Sequence, residues 1–414
     1  MEKNIVIIGT LDTKGVEFTF LKDEIEKLGV GTTVIDCGII GEPMMKSDIT
    51  RFQVAESMET SIEAIIEKRD KNAAIKTMTK GVKKVVMNLY SKGKVQGVIS
   101  LGGVQGTVLA TEAMKSLPVG VPKVMVSTVA NGKATFGPFI GTKDVTMIHS
   151  VADISGLNMI TRKVFKEAAG AIVGMVNNAY CEDNNIKPTI GLTMAGVTTP
   201  CAMKAREVLE ELGYEVITFH CNGIGAKAME ELVMEDKLAG VLDLSPHDIT
   251  DGLFDGLMPA YEDRLKVTTQ RGIPQVIIPG CADIILYGGL DNVPEDKLKR
   301  KLVEHNPIHT HVKANYDEMK MVGRYIANRT VTSKGSVGIV VPEGGFSQLN
   351  CVGGPIFEPE SDRGFADGIL EVKNESSQQN IELIKSKAHI NDDKFAIEIA
   401  NLLHRYIKEV RDAR

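Results

Sequence analysis

The sequence has no long hydrophobic run, no excess of basic residues and no closely spaced cysteines. No stretch of about 18 uncharged apolar residues occurs, and the first residues do not combine a basic segment with a long apolar one. The 48 Lys and Arg residues are outnumbered by 54 Asp and Glu residues, for a formal net charge of -6, and no long Lys or Arg run is present. These absences predict a cytoplasmic protein with neither a membrane anchor nor a nucleic-acid partner.

The cysteines favour the same compartment. None of the six has the C-x-x-C spacing that zinc knuckles and dithiol redox pairs use. We therefore expect a reduced, intracellular chain. The cysteines are Cys37, Cys181, Cys201, Cys221, Cys281 and Cys351.

The length of the chain predicts more than one domain. Its 414 residues are 43% hydrophobic and 25% charged, which is typical of a folded protein and not of a disordered one. A single hydrophobic core seldom serves so long a chain, because domains of about 100 to 200 residues are the norm. We expect two domains, each large enough to bury its own core.

Short apolar runs alternate with segments of helical spacing, which is the order expected of parallel sheets flanked by helices. Residues 5–8 form the first such strand, and residues 16–28 form the helix after it. The polar, turn-rich stretch at residues 177–188 is the segment that best fits a linker between two domains. The alternation of strands and helices restarts after it. We predict two Rossmann-like α/β domains with open parallel sheets, at residues 1–183 and 184–414, with ligands bound in a cleft between them.

The loop after the first predicted strand has residue types suited to a phosphate or a metal ion. Residues 9–15 read Gly-Thr-Leu-Asp-Thr-Lys-Gly. Gly9 permits close backbone approach, and the side chains of Thr10, Thr13 and Lys14 can meet phosphate oxygens. Asp12 can hold a metal ion or accept a proton. The G-x-x-x-x-G-K-[ST] order of a P-loop is absent, so a plain tight turn is the alternative interpretation.

A second glycine-rich loop gives a stronger signal. Residues 100–107 read Ser-Leu-Gly-Gly-Val-Gln-Gly-Thr, and glycines between a strand and a helix expose amide donors that suit an anion. The alternative is a strand-to-helix turn that only needs room. Ser127 and Thr128 follow another predicted strand. Asp36 ends the second strand, where dinucleotide folds place a ribose-binding carboxylate, although a solvent-facing Asp in a turn fits equally well. The predicted amide seat consists of Gly102, Gly103, Gly106 and Thr107.

Charged and small residues also cluster in the second half of the chain, where they suggest a polar pocket that faces the first domain. His309 and His311 stand at alternate positions of a predicted strand and point the same way. No Cys or third His stands nearby at metal-like spacing, which argues against a dedicated zinc site. The other candidates in this half are Arg206, His247, Asp248, Arg264 and His305.

Several motifs occur in an order that identifies a family. The chain resembles the ATP-binding domain of the plant tomato mosaic virus resistance protein and its bacterial and fungal relatives, over nearly its whole length. The motifs are residues 9–15, Leu-Gly-Gly-x-x-Gly-Thr at 101–107, Val-Ser-Thr-Val-Ala at 126–130, residues 151–158, Gly-Val-Thr-Thr-Pro-Cys at 196–201, His-Asn-Pro at 305–307 and Ala-His-Ile-Asn-Asp at 388–392.

The resemblance implies two Rossmann-like domains, a homodimer, and ATP bound by loops of the first domain. Carried over to this sequence, it places Gly9, Thr10, Asp12, Thr13 and Lys14 at the nucleotide and the glycine-rich loop as the cradle, with Ser127 and Thr128 as further candidates. In the plant protein a barrel domain follows, whereas this chain ends without it. A separately encoded barrel-domain partner is therefore conceivable.

The leading functional hypothesis is an ATP-dependent transferase or ligase-like enzyme that acts on a small anionic metabolite. In this scheme Asp12 assists Mg²⁺ and Lys14 neutralises developing phosphoryl charge. Arg206 or Arg264 would clamp a substrate carboxylate, and the candidate bases are His247, Asp248 and His305. Two alternatives stay open: a nucleotide-dependent binding or scaffold module, and a lyase or hydrolase that holds a phosphorylated metabolite without using a nucleotide.

Overall fold

The computed structural model describes residues 3–131, 137–179, 187–376 and 380–412. The chain divides into two compact units, Met1–Asp183 and Asn184–Arg414. Each unit has its own parallel sheet with helices packed on it, and the two are described separately below. The boundary between them, within the predicted linker, lies outside the described residues. The predicted fold class, two Rossmann-like α/β domains with parallel sheets, is confirmed.

The first unit is built on a five-stranded parallel sheet. Its strands are β1 (Asn4–Gly9), β2 (Gly31–Asp36), β3 (Gly97–Gly102), β4 (Lys123–Ser127) and β5 (Thr146–His149). Their order across the sheet is β2-β1-β3-β4-β5. The chain therefore winds in one direction from β1 to β2 and in the other from β3 onward, so the switch point lies between β1 and β3.

Helices cover both faces of this sheet. They are α1 (Leu11–Lys27), α2 (Arg51–Glu56), α3 (Ile62–Glu67), α4 (Lys71–Ser91), α5 (Val104–Met114), α6 (Gly137–Ile140) and α7 (Met159–Asn177). Along β1, Ile5 and Ile7 pack in the core that α1 and α7 share, whereas Val6 and Ile8 pack on the opposite face against α2 to α5. Since both faces are buried, residues 5–8 of the strand are all apolar instead of alternating with polar residues.

The second unit contains a six-stranded parallel sheet and a three-stranded antiparallel sheet. The parallel strands are β6 (Thr189–Met194), β7 (Glu215–His220), β8 (Gly240–Asp243), β9 (Gln275–Ile277), β13 (Val337–Pro342) and β14 (Ile381–Ser386). They lie in the order β14-β13-β9-β8-β6-β7. The antiparallel strands, in the order β10-β12-β11, are β10 (Ile284–Tyr287), β11 (Leu302–Asn306) and β12 (His309–Lys313).

The helices of the second unit also pack on both faces of its parallel sheet. They are α8 (Thr199–Glu211), α9 (Ile224–Met234), α10 (His247–Leu253), α11 (Lys266–Arg271), α12 (Tyr316–Thr330), α13 (Pro359–Glu375) and α14 (Asp393–Asp412). Helices α8 and α14 share one core, and α12 and α13 share another. Among the helices of the described ranges, none combines the length and the apolar character needed to cross a membrane.

The polar segment from residue 54 to residue 92, poor in Gly and Pro, predicts helices with a break near Asn72 or Gly81. A break occurs close to the first of these positions, because α3 ends at Glu67 and α4 begins at Lys71, whereas α4 runs through Gly81 without interruption. Asp70 sets the start of α4, because its Oδ1 accepts the amide hydrogen of Ala73 at 3.0 Å, the usual N-cap bond. Gly81 serves packing, since a Cβ there would lie 2.6 Å from the carbonyl oxygen of Val54.

The close contact at the end of β1 leads to a stability prediction. A Cβ on Gly9 would lie 2.5 Å from the ring of Phe18, which is fully buried and has no room to move. We expect Gly9→Ala to destabilise the protein by about 1–3 kcal/mol, the usual effect of overpacking, as measured by urea denaturation.

Gly170 provides the matched control. It lies inside α7, and no heavy atom lies within 4 Å of the position of its Cβ. Gly170→Ala should be neutral or stabilising by up to about 1 kcal/mol. Equal losses in the two variants would contradict the packing explanation for Gly9.

Candidate functional site

A cavity of about 770 Å³ opens in the first unit, next to the ends of β1 and β3. This is the switch point of the sheet. The loops after the two strands run in opposite directions here, so a crevice forms between them. Seven predicted site residues line it: Thr10, Asp12, Thr13, Lys14, Gly102, Gly103 and Gly106. The structure thus brings the two predicted loops together within one unit.

The N-terminus of α5 forms one end of the cavity. Gly103 is its N-cap residue, and the amides of Val104, Gln105 and Gly106 donate to no acceptor in the part of the chain that the structure describes. A Cβ on Gly102 would lie 3.0 Å from the Cα of Gly106, so glycine lets the strand end pass close to the helix. These first-turn amides and the positive end of the helix dipole form a site for an anion.

Thr107 and Ser127 brace this turn instead of lining the cavity. The Thr107 amide donates to the carbonyl of Gly103 at 2.9 Å, and its hydroxyl donates to the same oxygen at 2.8 Å. The hydroxyls of Thr107 and Ser127 lie 2.6 Å apart, and both side chains are buried. The anion seat therefore consists of residues 103–106, without the Thr107 amide. Thr128 is half-buried, outside the cavity lining.

The turn after β1 supplies the cationic side of the cavity. Thr13 and Lys14 donate their amides to the carbonyl of Thr10, and Lys14 has non-helical backbone angles, which place a kink at the start of α1. Among the described residues, no carboxylate forms an ion pair with the Lys14 ammonium. Lys14 is therefore available to a bound anion. Gly9 lies outside the lining and serves the contact with Phe18.

Asp12 has one oxygen engaged and one unpaired. Its Oδ2 accepts the amides of Ile40 at 2.8 Å and Gly41 at 3.3 Å, whereas its buried Oδ1 has no hydrogen-bond partner in the described ranges. A Cβ on Gly38 would lie 2.5 Å from the Asp12 carboxyl carbon, so the loop after β2 needs glycine there. Asp12 thus fixes this loop as a wall of the cavity and retains one oxygen for a cation.

Asp36 is not among the residues that line the cavity. Its Oδ1 accepts the amides of Gly38 at 2.9 Å and Leu11 at 3.3 Å. Burial raises the pKa of the Asp36 carboxyl, although these two hydrogen bonds oppose the shift. Asp36 is buried and outside the cavity lining, so it holds the loop after β2 and does not reach a ribose.

An aliphatic wall, which the motifs did not reveal, forms the rest of the cavity. Its residues come from the loop after β2 and from helices α3, α4 and α5, and exposed charged residues at positions 69–71 flank it. In sequence these positions look like the apolar side of ordinary amphipathic helices. The aliphatic wall consists of Ile39, Ile40, Ile65, Ile66, Ala74, Ile75, Met78 and Leu109.

In the second unit, Arg264 is part of a buried ion network. The guanidinium is fully buried and donates to Asp243 at 2.6 Å, Glu230 at 3.0 Å and Asp248 at 3.1 Å. Tyr261 also bonds to Glu230. Burial raises the pKa of Glu230 and of Asp248, and attraction to Arg264 offsets only part of that rise. The network occupies Arg264 and Asp248, so we assign neither of them to substrate.

The remaining candidates of the second unit are dispersed. Arg206 is exposed on α8 and pairs with Glu210 at 2.6 Å. His247 is buried, with Nδ1 3.3 Å from the carbonyl oxygen of Cys281 and Nε2 3.4 Å from Asp251. These contacts give each side chain a partner within the protein.

Two of the histidines of the antiparallel sheet lie side by side. His309 and His311 stand on β12, as the alternation predicted. The ring of exposed His305 stacks on His311 with centroids 5.1 Å apart. Burial lowers the pKa of His311 to about 4. Across the described residues, no group of three or more His, Cys, Asp or Glu side chains is arranged to hold a metal ion.

Fold and cavity together define a two-unit α/β protein with a candidate ligand site at the switch point of its first sheet. Two family models cover the chain: the N-terminal domain of the uncharacterised protein family UPF0261 matches residues 3–181, and the C-terminal domain matches residues 187–407. The chain belongs to this family.

The relatives agree with this assignment. The chain is 40% identical over 403 residues to a UPF0261 protein of Clostridium tetani, covering 97% of this chain and 98% of that one. It is 30% identical to the ToMV resistance protein Tm-1(GCR237) of Solanum lycopersicum over 95% of this chain, but spans only 54% of the plant protein.

Among solved structures, a putative UDP-N-acetylglucosamine 2-epimerase from Listeria monocytogenes aligns with 67% of this chain and 79% of its own, at 12% identity and a TM-score of 0.24. So low a score supports no conclusion about the ligand.

The buried ion network predicts a large effect at Arg264. Arg264→Met leaves three buried carboxylates without their cation, and we expect it to cost about 3–5 kcal/mol of stability. The loss should be larger at pH 8 than at pH 5. The pKa values of Glu230 and Asp248 are already raised, and without Arg264 they rise further, so acid protonates them and removes the unpaired charge.

Arg206→Met is the matched control, because its ion pair is exposed and should contribute about 0.5 kcal/mol or less. Chemical denaturation at both pH values tests the pair of variants. A loss at Arg264 as small as that at Arg206 would show that the network does not stabilise the fold.

Proposed function

We propose that the first unit binds ATP in the switch-point cavity. The observation that carries this proposal is the set of amides at residues 104–106, which have no acceptor among the described residues and belong to residues that line the cavity in the first turn of α5. Helix N-termini bind phosphate because several amide donors and the dipole act on the same anion. Lys14 lines the same space and adds a full positive charge without a partner carboxylate among the described residues.

The shape of the cavity supports a nucleotide rather than free phosphate. Its volume of about 770 Å³ lies within the range of about 300–1,000 Å³ of small-molecule sites. Its lining includes both the anion seat and the aliphatic wall. A ligand with a charged tail and a flat apolar ring fits such a lining. Its phosphates would bind the α5 amides, and its base would pack against the aliphatic wall.

Asp12 suits the Mg²⁺ that accompanies ATP. Mg²⁺ is usually held by one or two carboxylates together with phosphate oxygens and water, so it does not need a preformed cluster. The Oδ1 of Asp12 is an unpaired carboxylate oxygen, and the two amides on Oδ2 fix its direction. The ion would supply positive charge at the phosphates, while Asp12 would hold it beside Lys14.

For the use of the bound ATP, we propose an ATP-dependent transfer or ligation on a small anionic metabolite. Phosphoryl transfer depends mainly on positioning and on charge stabilisation, and Lys14 with the α5 amides provides both. The second candidate is a nucleotide-dependent module that recruits a partner enzyme, such as a separately encoded barrel protein. One observation favours it: of the two carboxylates among the described lining residues, Asp12 is proposed to hold Mg²⁺ and Asp70 caps α4 through the amide of Ala73, so we assign neither as a general base.

The anion seat is tested with two variants of Gly103. A Cβ at this position meets nothing closer than the Thr128 hydroxyl oxygen at 3.8 Å, so a side chain fits without strain. Gly103→Asp places a carboxylate beside the triphosphate. Like charges brought together cost several kcal/mol, so we expect ATP affinity to fall by about a hundredfold or more. Calorimetric titration measures the loss.

Gly103→Ala is the control and should bind ATP within about threefold of the unmodified protein, because its methyl group adds no charge. Unchanged affinity in Gly103→Asp would refute the placement of the phosphates. If no ATP binds to the unmodified protein but a sugar phosphate does, the cavity holds a phosphorylated metabolite instead.

A turnover measurement distinguishes an ATP-dependent enzyme from a module that only binds ATP. Purified protein is incubated with ATP, Mg²⁺ and pooled small metabolites, and ADP, AMP and phosphate are measured. The enzyme proposal expects product that depends on the metabolites and is lost in Gly103→Asp. Tight binding without any product supports the binding module.

A further inference from the structure

Two charged side chains hold the loop between β2 and α2 at the same residue, Gly41. The amide of Gly41 donates to Oδ2 of Asp12 at 3.3 Å, and its carbonyl oxygen accepts a hydrogen bond from the guanidinium of Arg51. Asp12 lines the cavity, whereas Arg51 is not among the lining residues. Gly41 therefore connects the carboxylate that faces the proposed ligand with a cation that lies behind the loop.

Arg51 is itself anchored to the sheet. It is the first residue of α2, which begins there because Thr50 and Gln53 form a capping box. Just before the helix, the amide of Ile49 donates to the carbonyl of Val34 at 3.0 Å, which ties this segment to β2. Arg51 is only 7% exposed. Its guanidinium thus gives the middle of the loop a fixed point of attachment.

The ion pair of Arg51 does not account for its burial. The guanidinium lies 3.3 Å from the carboxylate of Glu42, whose side chain is 93% exposed, and such exposed partners contribute little to stability. The Nε atom of Arg51 is buried without a hydrogen-bond partner in the described ranges. Since removing a guanidinium from water costs free energy, an apolar side chain would serve packing at least as well. The contact with Gly41, behind Asp12, is the one that gives the buried charge a role.

From these contacts we infer that Arg51 is the positioning residue of the proposed Mg²⁺ site. By holding the carbonyl of Gly41, Arg51 keeps the amide of the same residue on Oδ2 of Asp12. The other oxygen, Oδ1, which has no partner among the described residues, then keeps its direction toward the ion. Arg51 acts through Asp12 and touches neither the ion nor the nucleotide. This inference rests on the proposed function, because it assumes that Asp12 holds Mg²⁺ beside bound ATP.

The test measures how much Mg²⁺ strengthens ATP binding. The purified full-length protein is titrated calorimetrically with ATP in excess Mg²⁺ and in EDTA, and the ratio of the two affinities gives the gain due to the ion. Groups that orient a metal ligand typically contribute about 10–100-fold to metal affinity. We therefore expect Arg51→Met to reduce the gain by about tenfold or more, or to abolish it.

The titration in EDTA shows whether Arg51 has a merely structural role. The α5 amides and Lys14 are unchanged in Arg51→Met, so its ATP affinity without Mg²⁺ should stay within about threefold of that of the unmodified protein. A loosened cavity would instead weaken ATP equally in EDTA and in Mg²⁺, and that result would overturn the inference.

A double-mutant cycle tests whether Arg51 acts through Asp12. Asp12→Asn removes the charge that attracts Mg²⁺ and should abolish the gain. In this background, adding Arg51→Met should change the ATP affinity in Mg²⁺ by no more than about threefold, because the carboxylate that Arg51 positions is already gone. An equally large loss in both backgrounds would show that Arg51 acts independently of Asp12, and would overturn the inference.

Arg162→Met is the matched control. Arg162 is exposed on α7, outside the cavity lining, and its guanidinium lies 5.3 Å from the ring centroid of Phe20, much as that of Arg51 lies 5.4 Å from the ring centroid of Phe52. This variant should keep the full gain. If Arg51→Met does not fold, Arg51→Lys replaces it. The compact ammonium does not reproduce the fork of the guanidinium, so the gain should still fall, and an unchanged gain overturns the inference.

The unmodified protein and Asp12→Asn separate this inference from the proposed function. If the unmodified protein binds no ATP or shows no gain, or if Asp12→Asn keeps the gain, the proposed function fails at this site and the inference fails with it. If the gain is present and is lost in Asp12→Asn, but Arg51→Met keeps it, only the inference fails.

Discussion

The opposite winding of the chain on the two sides of β1 is the constraint on which the site depends. Parallel strands need crossover connections, and where the winding direction changes, the neighbouring loops diverge and no helix fills the space between them. In the first unit this happens between β1 and β3. The unpaired amides of α5, the kinked start of α1 and the loop held by Asp12 all border the resulting crevice. None of these groups would form a site if the helices closed the gap.

The second unit shows that a switch point alone does not make a site. Its winding changes between β6 and β8, and the strand ends there are joined by the protein's own side chains. Thr193 on β6 donates to Asp243 at the end of β8 at 2.7 Å, and the other Asp243 oxygen accepts from Arg264. The hydroxyls of Thr198 and Ser245 lie 2.8 Å apart. Thr193 with Asp243 and Thr198 with Ser245 thus satisfy one another in this unit, whereas the first-turn amides of α5 in the first unit have no acceptor among the described residues.

This difference explains how far the sequence could predict the site. Hydrophobic periodicity predicted the parallel sheets. The loops after β1 and β3 were expected to lie near each other because the carboxyl ends of parallel strands meet at one edge of a sheet, and both loops line the cavity. The roles of Asp36 and Arg264 could not be read from spacing, because an acid after a strand has the same pattern whether it accepts loop amides or faces a ligand. The aliphatic wall was missed for a similar reason: Ile75 and Met78 have the spacing of any core-facing helix. The antiparallel sheet and helices α12 and α13 were not predicted.

The guanidinium of Arg264 also limits how this protein can evolve. It bonds to three carboxylates that lie on α9, at the end of β8 and on α10, all away from water. Replacing Arg264 alone leaves three buried carboxylates without their cation, whereas replacing one carboxylate still leaves Arg264 two partners. Single substitutions are therefore expected to be tolerated less at Arg264 than at any one of the three acids, and a lineage that loses Arg264 has to change the acids with it or pass through a less stable ancestor.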